Sequence, residues 1–135
     1  MSQLRRVSPE DATADTAQTY GMVRRAGVCE STVGASKIWM GETHMAPGVV
    51  SGAHHHGENE TSIYVLSGNP VFIFMADGVE ERLETKPGDY VYVPPFVPHI
   101  ESNEGSAEEA VVIIARSSQE AIVENLHSLA VRPAP

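Results

Sequence analysis

Gly48-Val49-Val50-Ser51-Gly52-Ala53-His54-His55-His56-Gly57-Glu58-Asn59-Glu60 sets three of the chain's six histidines side by side, with two carboxylates in the next four residues. In an extended strand, residues i and i+2 share a face and lie about 7 Å apart. His54 and His56 therefore project together, and His55 points the other way. Two imidazoles so placed can converge on one metal ion, at bonds of roughly 2.0–2.1 Å for zinc. A carboxylate and a third imidazole would complete the set, and Glu60 and His99 are the candidates. Three histidines and one carboxylate leave one or two coordination positions open, the layout of a catalytic rather than a structural centre.

A second segment answers the first: Pro87-Gly88-Asp89, then Pro94-Pro95-Phe96-Val97-Pro98-His99, then Asn103. Between and around the two lie short β-forming runs. Ala35 to Met45 alternates, with Lys37, Trp39, Gly41, Thr43 and Met45 on one face and Ile38, Met40, Glu42 and His44 on the other. Thr61 to Ser67 is β-branched and aromatic and ends at Gly68-Asn69-Pro70. Val71 to Met75 is closed by Ala76-Asp77-Gly78, a turn of the Asp-Gly type. Val79 to Thr85 is polar and reads as solvent-facing. Tyr90-Val91-Tyr92-Val93 and Ala110 to Ala115 are further strands by composition. Strands of four to seven residues separated by Gly, Pro and Asp turns predict an all-β sandwich or barrel. From Ser118 two readings stand: a helix capped by Ser118 with Ile122, Leu126 and Leu129 on one face, or an edge strand through Ala121-Ile122-Val123.

The organisation predicted is an N-terminal arm with lead-in strands over 1–34, a barrel over 35–116, and a C-terminal segment packed on it over 117–135. At 135 residues the chain reads as one domain. Formal net charge is −9. Residues 41–135 carry fourteen acidic against four basic side chains. That balance argues against nucleic acid or an anionic membrane as partner, since phosphate binding needs clustered Lys and Arg. The pairs Arg5-Arg6 and Arg24-Arg25 read as solvated charge. Cys29 is the only cysteine, so no intrachain disulfide forms, and it reads as a small buried residue. The longest apolar run is far too short to span a bilayer, no apolar run follows the N-terminal residues, and the expected location is the cytoplasm. Glu58 reads as solvated, His44 and His127 as surface or supporting side chains, and Asn103 as a residue that ties a turn. Trp39, Phe72, Phe74, Tyr90 and Tyr92 read as core or barrel-lining residues.

Gly48, His54, His56, Glu60 and Gly68 resemble the first motif of the cupin superfamily, and Gly88, Pro94, His99 and Asn103 resemble the second. With the flanking strands the likeness extends over most of residues 35–115. It implies a single antiparallel jelly-roll barrel (a double-stranded β-helix), usually a homodimer, holding one divalent transition metal per chain: Fe, Mn, Ni, Cu or Zn. His54, His56, Glu60 and His99 would be its ligands. Two departures stand out. Phe96 occupies a position where the family has glycine. Thr61 occupies the usual glutamate register relative to Tyr64-Val65-Leu66, so Glu60 stands one residue early and reaches the ion only if a bulge re-aims it. Otherwise the site is the three histidines alone, with Thr61 nearby, or a slip promotes His55. The resemblance implies a metal-dependent enzyme on a small organic substrate, of dioxygenase or isomerase/dehydratase type. A non-catalytic metabolite binder is the alternative, and a storage role a third. Fold alone does not choose among them.

Overall fold

The computed structural model describes residues 3–118 and 122–129. Ten strands form two antiparallel sheets of five. They are β1 (Val23–Val28), β2 (Trp39–Met45), β3 (His54–His55), β4 (Thr61–Ser67), β5 (Val71–Ala76), β6 (Val79–Glu84), β7 (Tyr90–Val93), β8 (His99–Ser102), β9 (Ala110–Arg116) and β10 (Glu124–Asn125). The first sheet runs β1-β2-β9-β4-β7 and the second β10-β3-β8-β5-β6. This is the expected all-β architecture of two antiparallel sheets, and the one α-helical turn among the described residues is Glu30–Val33.

Alternation fixes what faces inward. Trp39, Thr43 and Met45 of β2 are buried, as are Thr61, Ile63 and Val65 of β4, and Ala110, Val112, Ile114 and Arg116 of β9. Ile63, Val65, Phe72, Val91, Val93, Val112 and Ile114 form the core with Trp39, Ala26 and Cys29. The β5–β6 connection is the predicted hairpin: Asp77 and Gly78 take φ of +51° and +80°, the mirror-image turn whose twist suits two strands. β6 is exposed along its whole length, and its charges protect a sheet edge from further pairing.

Three expectations change. Tyr90 and Tyr92 face outward, because β7 turns Val91 and Val93 to the core. Arg24 is fully buried rather than solvated: β1 points Arg24 and Ala26 inward as alternate residues, continuing from Met22 just before it. In the C-terminal segment, Glu124 and Asn125 pair with His55 and His54. The strand lies just beyond the expected Ala121-Ile122-Val123: Ile122 and Val123 are outside it and Ala121 lies outside the described residues, and Ile122 and Leu126 are not in a helix. No helix in the described residues is long and apolar enough to cross a membrane.

Candidate metal centre

The second sheet brings two of the histidines together by register. His54 on β3 pairs directly with His99 on β8, and His99 pairs on its other side with Phe74. His56 follows β3 on the same face as His54. The ring centroids lie 4.3 Å apart for His54–His99 and 5.2 Å for each of the other two pairs. One nitrogen from each ring can be chosen so that all three lie within 4.8 Å of one another.

Each ring is held by its other nitrogen. Nδ1 of His54 lies 2.9 Å from the Gly52 carbonyl, Nδ1 of His56 3.1 Å from the Ile122 carbonyl, and Nδ1 of His99 3.0 Å from the Val97 carbonyl. A carbonyl only accepts, so each Nδ1 carries a proton, and in a neutral ring Nε2 then presents a lone pair. Nε2 of His54 and Nε2 of His99 are buried without a hydrogen-bond partner. A backbone acceptor that fixes the tautomer and leaves Nε2 free is the support a metal-ligating histidine has. Burial, with the charges of neighbouring groups, holds His56 well below the usual imidazole range and lowers His99 to about 4, so both rings stay neutral at neutral pH.

The carboxylate beside the cluster is Glu101. Its Oε2 lies 3.6 Å from Nε2 of His54, and it is the one buried acidic side chain among the described residues. Burial alone would raise its carboxyl. The His54 contact, with the charges of His54, His99 and Arg24, outweighs that and holds it below the ordinary range. A lone pair facing a carboxylate oxygen across that gap repels it unless a positive charge sits between them. A proton does this in one state and a metal ion in another. The unpartnered nitrogens and this juxtaposition fit a divalent cation.

Glu60 is not brought to the histidines. Its side chain is exposed on the outside of the barrel, where the Tyr92 hydroxyl donates to it at 2.6 Å. Strand parity explains this. Thr61 points inward on β4, so Glu60 points away, and no bulge re-aims it. Thr61, in the glutamate's place, is buried with an unpartnered Oγ1. His55 lies opposite its neighbours, accepts from the Gly57 amide, and stacks edge-on against Phe96. Phe96 takes φ +61°, a left-handed conformation uncommon for a bulky side chain, at the position where the family's motif has glycine. Asn103 ties a turn, donating from Nδ2 to the Ala46 and Glu108 carbonyls. Glu58 and His127 are exposed, and His44 sits on the outside between Glu42 and Glu109.

A cleft of about 400 Å³ reaches His99. Phe72, Phe74, Met75, Leu83 and Val97 make its walls apolar, and Tyr92 stands at its rim. Opposite, the C-terminal segment covers His56. Gly57 has φ +57°, and a Cβ there would lie 2.8 Å from Ile122 Cγ2. Gly57→Ala should therefore cost roughly 2–4 kcal/mol, from left-handed strain and overpacking together. Urea denaturation measures this, and an unchanged midpoint would mean that Ile122 moves aside freely.

A family profile described as a cupin domain matches residues 41–115, more than half of the chain. The chain is a cupin. Among solved structures, this cupin is similar to oxalate decarboxylase from Bacillus subtilis, with TM-score 0.70 and 18% identity over 83% of this chain. It spans only 29% of that protein's length. It is also similar to peruvianin-I, a cysteine peptidase from Thevetia peruviana latex, with TM-score 0.72 and 14% identity, covering 89% of this chain and 76% of the other. No curated protein matches the chain in sequence. Likeness at these identities concerns the fold, and the two neighbours' different activities illustrate how little a fold decides. No motif marks Glu101; it stands two residues after His99 on one strand and so shares its face.

Proposed function

We propose that this cupin is a metal-dependent enzyme acting on a small organic molecule, with His54, His56 and His99 holding one divalent ion. The observation that carries the reading is the set of three buried rings, each with Nδ1 tied to a carbonyl, whose nitrogens can be chosen to lie within 4.8 Å of one another. When bound, a divalent ion at such a site supplies a Lewis acid that polarises a substrate oxygen. The chain's own residues then do three things. The carbonyls of Gly52, Val97 and Ile122 hold the rings in place. Glu101 supplies negative charge beside His54. The apolar cleft admits an apolar portion of substrate toward His99 and keeps water sparse there.

Candidate metals are Fe, Mn, Ni, Cu and Zn, since neutral imidazoles accept all of them and geometry and availability decide. Oxalate decarboxylase from Bacillus subtilis has Mn(II) centres, which makes manganese one ion to try. Oxygen uptake with bound Fe(II) would mark a dioxygenase, and turnover without oxygen an isomerase or dehydratase. A non-catalytic metabolite binder is the second reading, favoured by the apolar walls of the cleft. We place the protein in the cytoplasm, where an unpaired Cys29 is stable, and as a homodimer. The outer face of the first sheet, with Val23, Met40, Leu66 and Tyr90 exposed, is the surface such a dimer would cover.

The test is elemental analysis of protein purified without a polyhistidine tag, beside a His54→Ala/His56→Ala double variant. About one equivalent of a transition metal, lost in the variant, is the expected result. No metal in the wild type after reconstitution would sink the enzyme reading and leave the binder.

A further inference from the structure

Three formal charges are buried among the described residues: Arg24, Arg116 and Glu101, none more than 2% exposed. Arg24 is held, its Nη1 donating to the Thr19 hydroxyl at 2.8 Å and to the Ala17 carbonyl at 3.3 Å. Arg116 is not. It ends the inward series of β9, between Trp39 on β2 and Thr61 on β4. Its guanidinium carbon stacks 4.3 Å from the centroid of the Trp39 ring, which occupies one face of the group. Along its edges Nε, Nη1 and Nη2 are all buried without a hydrogen-bond partner. None of the ion pairs among the described residues includes it.

A guanidinium offers five donors in a planar fork. Leaving a buried charged donor unmade is among the more costly defects a fold can carry, and such groups in native proteins have an acceptor that remains to be identified. The Oγ1 of Thr61, directly across the strand pair, is buried and unpartnered as well. Burial and the nearby Arg24 push Arg116 down to about 9, so it remains a cation at neutral pH. One carboxylate against two guanidiniums leaves the interior with an excess positive charge, and a divalent ion would enlarge it.

We infer that Arg116 is the seat of a substrate carboxylate: the ligand is a small organic acid whose carboxylate pairs with the guanidinium fork beside Thr61. This deepens the metal-enzyme reading and rests on it for the role of the histidines. The planar fork suits a carboxylate, which it can engage through two parallel hydrogen bonds. Trp39 is the chain's only tryptophan, so its fluorescence reports on the cation stacked against it.

The experiment titrates malonate, uncharged malonamide and inorganic phosphate into metal-loaded and metal-stripped protein. Trp39 emission and calorimetry are the readouts, and metal content is measured on the same samples. Saturable malonate binding is expected in both forms, with none for malonamide and weaker binding for phosphate. Arg116→Gln should weaken malonate binding at least tenfold, and Arg116→Lys should fall between. Absence of saturable malonate binding by the wild type, loaded or stripped, overturns the inference even if the variants fail to fold. So does malonate binding that requires the metal and is unchanged in Arg116→Gln, because the ion alone would then account for it. Phosphate binding more tightly than malonate through Arg116 would overturn the carboxylate assignment. Metal bound without any anion response leaves the histidine centre standing and removes this inference. An anion response in protein that binds no metal does the reverse.

Discussion

Glu101→Gln is expected to lower metal affinity by about 10–100-fold and to destabilise the protein by roughly 3–5 kcal/mol. Glu101 is the one buried acidic side chain among the described residues, and the interior also holds Arg24 and Arg116. Removing its charge keeps the shape and leaves two buried cations without a counter-charge. Breaking a buried charge arrangement from one side is far more costly than replacing all of it with apolar groups. For a domain of this size the loss corresponds to a drop in melting temperature on the order of 10 °C. The affinity loss has a separate cause. The carboxylate lies 3.6 Å from Nε2 of His54, close enough to favour any cation that Nε2 binds. Glu60→Gln is the comparison. Glu60 is exposed and bonded to Tyr92 on the outside, so its loss should stay within about 0.5 kcal/mol and leave metal content unchanged. Metal retained in Glu101→Gln and lost in Glu60→Gln would restore the site suggested by motif spacing.

That contrast shows which parts of the centre were legible in the sequence. The three histidines were, because strand alternation places His54 with His56 and the second motif supplies His99. The barrel was legible for the same reason: Trp39, Thr43 and Met45 fall on one face by counting. The carboxylate was not. Motif spacing drew attention to Glu60, while the pleat of β4 turns Thr61 inward and Glu60 outward. Counting two residues on from His99 gives Glu101, and counting along Ala110, Val112 and Ile114 gives Arg116. Both would have been reached by alternation had a charge been admitted to the core. The strong tendency of Glu and Arg to stay exposed argues against that in any single sequence. Tyr90 and Tyr92 were misplaced for a different reason. In Tyr-Val-Tyr-Val both faces are good strand formers, so composition does not say which one is buried.

In metal-stripped protein, stability should fall as pH drops from about 6.5 towards 4, by roughly 3 kcal/mol from His99 alone. The sign follows from the direction of the shift. Burial and the neighbouring His54 lower His99 to about 4, so in that window the unfolded chain binds a proton that the folded chain refuses. Stability is complete above the unfolded value and is lost as pH falls through the folded one. His56, also depressed by burial, works in the same direction. Glu101, likewise held below its ordinary range, adds a loss at still lower pH. His44 is shifted upward by Glu109 and Glu42 against its partial burial, so it acts oppositely, but its solvent exposure keeps that share small. Bound metal adds stability wherever the folded state alone binds it, and it competes with protons for the same Nε2 lone pairs. The loaded protein should therefore melt higher than the stripped protein at pH 7.5, and the difference should shrink on acidification as the ion leaves. Denaturant titrations of both forms across this range measure the two effects separately. Stability that is flat or rising as the stripped protein is acidified from pH 6.5 to 4 would mean that the histidines are not buried as neutral rings. The tautomers with the proton on Nδ1 would then have to be reassigned.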